Sequence, residues 1–404
     1  MNHAVRRSHR NGRGAAAPLP FRVAIVLGGL LGGTSDAAAQ GDQSREVRPL
    51  PTATEAISDS SLQLSFVEAI VVDSRGLVYV KDRLSQSITV LDRDLTFIQT
   101  VGRSGSGPGE FNYITRMGIL DADSLFVYDR DLDRMTVFDP DTRVVAYTLP
   151  NPLGVSPDDQ RRLAQEVFRV SGGPAYLGVS RRPFYASEES ATLPMRTDIV
   201  VSVDSSGTFR DSVIVVPSPE MLVARRPGRV SAGPHPFGRT SWIRPLGRDR
   251  FVYANSGHFD VAVLDLTGDT VQSFSYSTTT LPVTADQMDA HVSDLRQQPE
   301  LAAALRDGAP YTWPPLGGLV VDDSGATSMS IWVGVRGGSG DDAWEWAGFT
   351  DDGEYVGSVF LPAGAILMAA RGQRMVSVSL GDFDVPEIHS HRIMTSLQRG
   401  QATR

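Results

Sequence analysis

The sequence has 404 residues, of which 41% are hydrophobic and 21% charged, and this composition favours a globular protein over a disordered chain. It contains no cysteine, which excludes a disulfide scaffold, a thiol nucleophile and a cysteine-based metal site. The formal net charge is −9, and an acidic chain does not favour nucleic acid as a partner, because phosphate binding depends on a basic surface.

The first 39 residues have the pattern of a signal peptide. A basic start with four arginines (residues 6–13) precedes an apolar run (21–33), and three alanines end at Ala39. The apolar run is shorter than the roughly 20 residues that a membrane-spanning helix needs. We therefore predict cleavage near Ala39/Gln40, a secreted or periplasmic protein, and no transmembrane segment after cleavage.

Two segments of the mature chain repeat one pattern. Residues 69–92 read AIVVDSRGLVYVKDRLSQSITVLD, and residues 117–139 read MGILDADSLFVYDRDLDRMTVFD. Each has three short alternating apolar runs ended by aspartates, and a fourth run follows at 96–101 and at 143–149. This pattern predicts two four-stranded antiparallel sheets of about 48 residues each, which is the size of a propeller blade.

Weaker copies of the hairpin between the third and fourth strands predict three further blades, at residues 199–213, 261–274 and 346–359. Three more runs predict an incomplete sixth blade, at residues 365–370, 373–379 and 387–394. We assign its missing strand to residues 61–66 (SLQLSF), because a strand from the N-terminal end closes the ring and leaves no open sheet edge. The predicted fold is an all-β, six-bladed β-propeller of four-stranded antiparallel blades, closed by an N-terminal strand.

This interpretation divides the chain into four parts: a signal peptide (1–39), an N-terminal extension (40–60), the propeller (61–396) and a C-terminal tail (397–404). An insertion at 277–314 lies between blades four and five. It begins a helix at the capping box Thr284–Gln287, and a second helical segment runs from Pro299 to Gly308. We expect a helical pair over part of the ring mouth.

A glycine-rich stretch directly after the fourth strand carries a resemblance to a known family. GRSGSGPGEF (102–111), together with VVDSRGLVYVKD (71–82), resembles the bacterial six-bladed β-propeller family related to NHL repeats. The resemblance implies a secreted propeller whose activity is mostly uncharacterised. Relatives of the NHL type include binding modules and a zinc lyase, so the resemblance implies a fold more than an activity.

The predicted loops are long on only one face of the ring. In a four-stranded blade, the connections from strand two to strand three and from strand four to the next blade emerge on the same face, which we call the long-loop face. The long insertions all belong to it: residues 102–115, 151–166, 180–196, 217–239, 277–314 and 336–343. Such one-sided growth on a rigid scaffold indicates a binding face.

The mouth of the ring should be rich in arginine and tryptophan. Guanidinium groups bind carboxylate, phosphate or sulfate, and indole rings suit the flat faces of sugars. The predicted ligand-binding residues are Arg116, Arg181, Arg182, Trp242, Arg244, His258, Trp313 and Arg336. We expect a monomeric, exported binding module without a cofactor or catalysis, for a small anionic or glycan ligand or an envelope protein.

The alternative function is a metal-dependent hydrolase or lyase of the lactonase type. It requires carboxylate and amide ligands around one divalent ion such as Ca²⁺ or Zn²⁺ at the funnel, and Glu68 and Asn255 stand at suitable places. His389 and His391, two apart on the last strand, point to one face and form a weaker candidate metal pair.

Overall fold

The computed structural model describes residues 47–58, 60–62, 64–150, 163–169, 176–181, 196–204, 209–226, 229–247, 249–276, 280–322, 330–336, 344–362 and 364–394. Six four-stranded antiparallel sheets account for most of these residues, and they form the predicted six-bladed propeller. The signal-peptide prediction and the C-terminal tail prediction lie outside the described residues.

The first half of the described chain forms β1 and blades 1 to 3. The N-terminal strand is β1 (Thr52–Ile57). Blade 1 contains β2 (Val67–Val72), β3 (Val78–Asp82), β4 (Ile88–Leu91) and β5 (Phe97–Val101). A short parallel pair follows, β6 (Arg103–Ser104) and β7 (Glu110–Phe111). Blade 2 contains β8 (Ile114–Ile119), β9 (Leu125–Asp129), β10 (Arg134–Phe138) and β11 (Val145–Pro150). Blade 3 contains β12 (Leu163–Arg169), β13 (Tyr176–Arg181), β14 (Thr197–Val203) and β15 (Phe209–Pro217).

The second half adds two insertions and blades 4 to 6. A hairpin comes first, β16 (Met221–Arg226) and β17 (Arg229–Pro234). Blade 4 contains β18 (Ser241–Leu246), β19 (Arg250–Asn255), β20 (Asp260–Asp265) and β21 (Thr270–Ser275). The helices α1 (Ala285–Asp294) and α2 (Pro299–Asp307) follow. Blade 5 contains β22 (Leu316–Val321), β23 (Ile331–Arg336), β24 (Trp344–Phe349) and β25 (Tyr355–Leu361). Blade 6 contains β26 (Ile366–Arg371), β27 (Arg374–Leu380) and β28 (Pro386–Ile393).

The hydrophobic core of the ring is divided among the interfaces between blades. Alternation along β3 explains this arrangement, because Val78 and Val80 pack toward blade 6 whereas Tyr79 packs toward blade 2. The interface between blades 5 and 6 holds the largest side chains, the fully buried Trp332 and Trp346. Each blade is therefore stabilised by both of its neighbours, and the ring depends on closure.

The closing strand is β1, which lies outside the segment that the sequence indicated. β1 pairs antiparallel with β28, with Thr52 opposite Ile393, and completes blade 6. The assignment of residues 61–66 to this strand is wrong. The closing strand lies instead within the segment 40–60, which was predicted to be an extension of the propeller. Leu62 and Leu64 pack into the core between blades 6 and 1 instead, which accounts for the apolar spacing that suggested a strand.

The aspartates that end the strands hold turns, as the sequence indicated. Asp73 Oδ1 accepts hydrogen bonds from the backbone N–H groups of Arg75 (3.0 Å) and Leu77 (2.8 Å). On the long-loop face, Asp129 Oδ2 accepts from the backbone N–H of Asn112 (2.6 Å) and Tyr113 (3.0 Å), just ahead of β8. The carboxylates accept hydrogen bonds from backbone N–H groups that have no strand partner. The fold therefore explains the regular spacing of these aspartates, and the spacing does not identify a ligand.

The glycine-rich stretch 102–111 is a closed structural loop between blades 1 and 2. The Glu110 carboxylate accepts hydrogen bonds from the Gly107 backbone N–H (2.8 Å) and from Arg103 Nε (2.8 Å). Phe111 is fully buried in the interface between these blades. Gly102 has a φ of +80°, and a Cβ there would lie 2.5 Å from the Phe111 ring, so this position requires glycine.

Two insertions join on the long-loop face into a small subdomain, which we call the cap (β16, β17, α1, α2 and residues 235–238 and 309–313). The helical pair is confirmed, and Thr284 and Gln287 form the predicted capping box. The hairpin was not predicted from the sequence. The cap has its own apolar core, to which the hairpin contributes Leu222 and α2 contributes Leu301 and Leu305.

His391 links the closing strand to the blade that it completes. Its Nε2 hydrogen-bonds with Ser377 Oγ (2.8 Å) on β27, and its Nδ1 with Thr54 Oγ1 (3.2 Å) on β1. Burial lowers the pKa of His391, and the stacked His389 ring, 6.0 Å away, lowers it further. A neutral imidazole is therefore part of the closed ring.

Acid should weaken this closure. Below the unfolded-state pKa of about 6.5, the unfolded chain binds a proton that the folded His391 does not, so stability falls with pH by up to about 1.4 kcal/mol per unit for this group. We expect the free energy of unfolding in urea to drop less between pH 7.5 and pH 5.5 in His391→Gln than in the unsubstituted chain. An equal drop in both proteins would contradict this role for His391.

Candidate functional site

The six innermost strands, β2, β8, β12, β18, β22 and β26, surround a central channel. Its cavity has a volume of about 370 Å³ and is lined along the length of these strands, from Glu68 on the long-loop side to Arg371 on the opposite side. Cavities of this size hold small ligands in other proteins. Glu68, near the long-loop end of β2, lines this cavity, so the cavity reaches the elaborated side of the ring and the channel is the candidate site.

Three guanidinium groups line the channel among the residues that the structure describes. The Arg116 guanidinium lies 4.7 Å from the centre of the Phe168 ring, so blade 3 supports the arginine of blade 2. Arg244 Nη1 on blade 4 donates to its neighbour's carbonyl, Ile243 O, at 2.9 Å. Arg371 Nη1 on blade 6 donates to Val72 O at 3.3 Å, near the end of the channel that faces away from the cap.

The carboxylate that lines the channel, Glu68, is neutralised by a buried lysine. Glu68 occupies a β-bulge in β2, between Val67 and Ala69. Its carboxylate accepts a hydrogen bond from the Lys81 ammonium, whose side chain is only 5% exposed. Lys81 is the single lysine of the sequence. Glu68 and Lys81 together carry no net charge, so the three arginines give the described part of the channel a positive field.

Aromatic side chains form the channel wall at blades 4 and 5. Trp242 and Trp346 both line the cavity. Gly318 on the innermost strand leaves room for Trp346, because a Cβ there would lie 2.6 Å from the indole Cη2. An indole from the third strand of blade 5 can therefore reach the channel past the first strand.

The cap meets the ring beside the channel mouth. The Arg336 guanidinium of blade 5 lies 3.9 Å from the Trp313 ring centre and 5.0 Å from that of Trp344. Trp313 Nε1 donates to Gln287 Oε1 of the cap at 3.0 Å. Because the cap arises beside blades 4 and 5, it borders the aromatic part of the wall.

The structure brings some of the predicted ligand residues together. Arg116, Trp242 and Arg244 line the channel, whereas Trp313 and Arg336 stack at the junction with the cap. His258 is exposed in the turn between β19 and β20 and does not line the cavity. The side chain of Arg181 and the whole of Arg182 lie outside the described residues. Ligand binding by any of them stays a prediction.

Phe168, Trp346 and Arg371 also line the channel and were not predicted from the sequence. Arg371 ends β26 on the side away from the long loops, whereas the predicted ligand residues belong to the long-loop side. Trp346 lies on a third strand, and the pair Gly317–Gly318 on the innermost strand is the sequence signal that could have indicated its position.

The structure separates the two residues of the metal-site alternative. Glu68 belongs to blade 1 and Asn255 to blade 4, which face each other across a six-bladed ring. Asn255 Oδ1 accepts from the Gly257 backbone N–H (2.8 Å), and its Nδ2 donates to Ser241 Oγ (3.1 Å). Within the described ranges, no three His, Asp or Glu side chains lie close enough to bind one metal ion. Metal dependence stays an untested prediction.

The two histidines near the end of the chain contact serines. His389 Nε2 lies 2.8 Å from Ser379 Oγ, and His391 Nε2 lies 2.8 Å from Ser377 Oγ. These contacts occupy one nitrogen of each ring and hold the imidazoles against β27.

Neither helix in the described part of the chain has the length and apolar character of a membrane-spanning helix.

Comparisons with known proteins identify the fold. The model of a family described as a six-bladed β-propeller, DUF5128, matches residues 59–153, which span blades 1 and 2. No curated protein matches the sequence. The relation to NHL repeats that the sequence indicated stays a prediction.

Three solved structures show how far the similarity extends. A protein of Bacteroides fragilis whose name proposes that it is exported is 13% identical, with a TM-score of 0.53, over 86% of this chain and 96% of that one. A DUF4221 family member from Bacteroides vulgatus is 8% identical, with a TM-score of 0.50, over 86% and 98%. Virginiamycin B lyase from Staphylococcus aureus is 8% identical, with a TM-score of 0.42, over 85% and 100%. At these identities the similarity concerns the fold, and the function has to be argued from the channel.

Proposed function

We propose that this chain is an exported binding module that takes an acidic saccharide into the channel of its propeller from the long-loop face. Export rests on the signal-peptide pattern of residues 1–39. The position of the binding site is inferred from the arginines of the channel. The proposal that the protein binds its ligand without catalysis is inferred from the carboxylates of the channel.

One observation carries the proposal: a chain with a formal net charge of −9 lines its cavity with Arg116, Arg244 and Arg371. Acidic groups elsewhere on the surface repel an anion, whereas these guanidinium groups attract it at the place where low-dielectric walls focus the field. Arginine is also the side chain that matches the two oxygens of a carboxylate.

A tryptophan of the channel wall limits the class of ligand. The indole of Trp242 is half-buried and can offer an apolar face or edge to the cavity that the guanidinium groups line. A sugar acid combines the two features that such a site recognises, a carboxylate and a ring with an apolar face. Because Arg116 and Arg244 stand on separate blades, an oligosaccharide with a carboxylate on each residue suits them better than a single acid.

The carboxylates of the channel favour binding over hydrolysis. Glycosidases generally use two carboxyl groups, one on each side of the scissile bond. The described channel lining contains one, Glu68, and it is held by the Lys81 ammonium. A saccharide in this cavity therefore has no acid and base pair beside it.

The experiment compares a charged ligand with its neutral counterpart. We expect the melting temperature of residues 40–404 to rise by roughly 3–4 °C with tetragalacturonate at a hundredfold excess over its dissociation constant. The fully methyl-esterified tetramer keeps the sugar rings and loses the carboxylates, and it should cause no shift.

Equal shifts with both tetramers, or none with either, would contradict the proposal. A shift caused by Ca²⁺ or Zn²⁺ alone, with none from the acid, would favour the metal-dependent hydrolase or lyase.

A further inference from the structure

Exposed apolar side chains are unevenly distributed over the molecule. Thirteen large ones are exposed among the described residues, and seven of these lie on or beside the outermost strands of blades 1, 2, 4 and 5. The other six all lie at the long-loop ends of blades 6 and 1, and we call them the blade 6–1 patch: Ile57, Phe66, Leu84, Ile366, Leu380 and Phe383. Among the described residues of blades 2 to 5, the exposed large apolar side chains lie on or beside the outermost strands.

The topology places the six residues on one face. Ile366 begins an innermost strand and Phe66 directly precedes the next one. Leu84 and Phe383 belong to the connections from the second strand to the third. Leu380 ends the second strand of blade 6, and Ile57 ends the closing strand on the same side. The cap arises from the connections beside blades 3, 4 and 5, so the patch occupies the uncapped half of the long-loop face.

Phe383 is not required by the turn that carries it. The chain uses the same turn twice, at Asp121–Asp123 and at Asp382–Asp384, and the middle residue has φ 59° and ψ 30° in the first and φ 60° and ψ 29° in the second. The first turn has Ala122 in the middle, whereas the second has Phe383, whose side chain is 98% exposed. The fold does not explain why a large apolar ring occupies a left-handed turn and projects into water. Its exposure therefore indicates a role in binding.

The border of the patch is mainly acidic. Asp382 and Asp384 flank Phe383 and are exposed, and the Glu387 side chain is 41% exposed close by. The cation Arg83 also lies beside the patch, and its guanidinium stacks 5.6 Å from the Phe66 ring centre. An occupant should therefore offer an apolar pocket bordered by lysine or arginine.

We propose that the blade 6–1 patch docks a partner protein whose apolar surface is bordered by basic side chains. An anionic lipid surface meets repulsion from Asp382 and Asp384, and from a chain with a formal net charge of −9. A second copy of this chain carries the same formal net charge of −9, which disfavours its approach to these carboxylates. A protein surface with an apolar area and basic side chains around it complements both the apolar side chains of the patch and its acidic border.

The test uses a synthetic 14-residue amphipathic peptide of leucine and lysine as the probe, with a leucine and glutamate peptide of the same pattern as its counterpart. We expect fluorescence anisotropy to show binding of the basic peptide and none of the acidic one. The double variant Leu380→Ser with Phe383→Ser should weaken basic-peptide binding by about tenfold or more.

A matched control removes exposed apolar side chains elsewhere. Val271→Ser with Phe360→Ser alters the outermost strands of blades 4 and 5, and it should bind the peptide as the unsubstituted chain does. Both double variants change exposed side chains, so their melting temperatures should stay close to that of the unsubstituted chain. Equal peptide affinity in all three proteins, or no binding by the unsubstituted chain, would overturn the proposal.

Two further measurements cover the other occupants. Co-sedimentation with phosphatidylcholine vesicles, with and without phosphatidylglycerol, should show no binding that depends on Leu380 and Phe383. Sedimentation velocity should show no association of the chain with itself that these substitutions abolish. Vesicle binding that depends on these residues would indicate that the patch docks on a membrane. Self-association that depends on them would indicate that it docks a second copy, and either result would overturn the proposal of a partner protein.

Discussion

A chain that begins at residue 59 will not unfold in one cooperative transition, whereas a chain that begins at residue 47 will. The first lacks β1, so β28 becomes an open edge and blade 6 keeps only three strands. It also loses the hydrogen bonds of Ser58 to Ile388, from Ser58 N to Ile388 O (2.9 Å) and from Ile388 N to Ser58 Oγ (3.0 Å). An exposed edge strand promotes pairing between molecules, so we also expect aggregation.

The size of this effect follows from the way the core is divided. Blade 6 contributes to the cores on both of its sides, with Met375 facing blade 5 and Val376 facing blade 1. We expect the free energy of unfolding to fall by more than about 5 kcal/mol, a large part of the 5–15 kcal/mol typical of a domain. Calorimetry of both chains measures it, and equal transitions would show that the ring does not depend on β1.

The substitutions Arg116→Gln and Arg244→Gln together should nearly abolish binding of tetragalacturonate. Glutamine retains hydrogen-bonding capacity and most of the side-chain length, so the change removes mainly the charge. Hydrogen bonds to charged groups are worth about 1.5–3 kcal/mol each, and the loss of two corresponds to an affinity about 100-fold or more lower. Isothermal titration calorimetry with the tetramer measures this loss.

Arg210→Gln is the matched control for this pair. Arg210 lies on the outermost strand of blade 3, its side chain is 63% exposed, and it pairs with Asp204. Removing this charge lowers the net charge of the protein without altering the channel, so the affinity should not change. An equal loss in the control would assign binding to the overall charge of the surface, and no loss in the double variant would exclude these two arginines.

The sequence predicts the blades well because their inner strands are buried on alternating sides. Val78 and Val80 face one neighbour and Tyr79 the other, and Asp73 and Asp82 end the strands by accepting backbone hydrogen bonds. Both the apolar runs and the aspartates are thus direct consequences of the fold. A repeated unit shows them more than once, which makes the pattern readable.

The closing strand lacks that signal. β1 is mostly exposed, since it lies at the outer edge of blade 6, and its sequence TATEAI has no apolar alternation. Residues 61–66 alternate more clearly, but Leu62 and Leu64 fill the core between blades without forming a strand. The hairpin of the cap escaped prediction for a similar reason, because its apolar residues face two helices that come 60 or more residues later in the chain.

Only part of the channel could be predicted. Arg116, Trp242 and Arg244 follow from the rule that the start of each innermost strand faces the mouth of the ring. The pairing of Glu68 with Lys81, the support of Arg116 by Phe168 and the position of Trp346 depend on contacts between different strands or blades. Contacts of this kind produce no periodic pattern in a single sequence. The residues of the channel are therefore harder to predict from the sequence than the strands of the blades.

A crystal structure of residues 40–404 with tetragalacturonate bound tests the proposed binding site most directly. We expect the saccharide inside the channel, with carboxylate oxygens within about 3 Å of the guanidinium nitrogens of Arg116 and Arg244 and a sugar ring against Trp242. A saccharide bound on the outer strands or on the short-loop side, with an empty channel, would contradict this expectation.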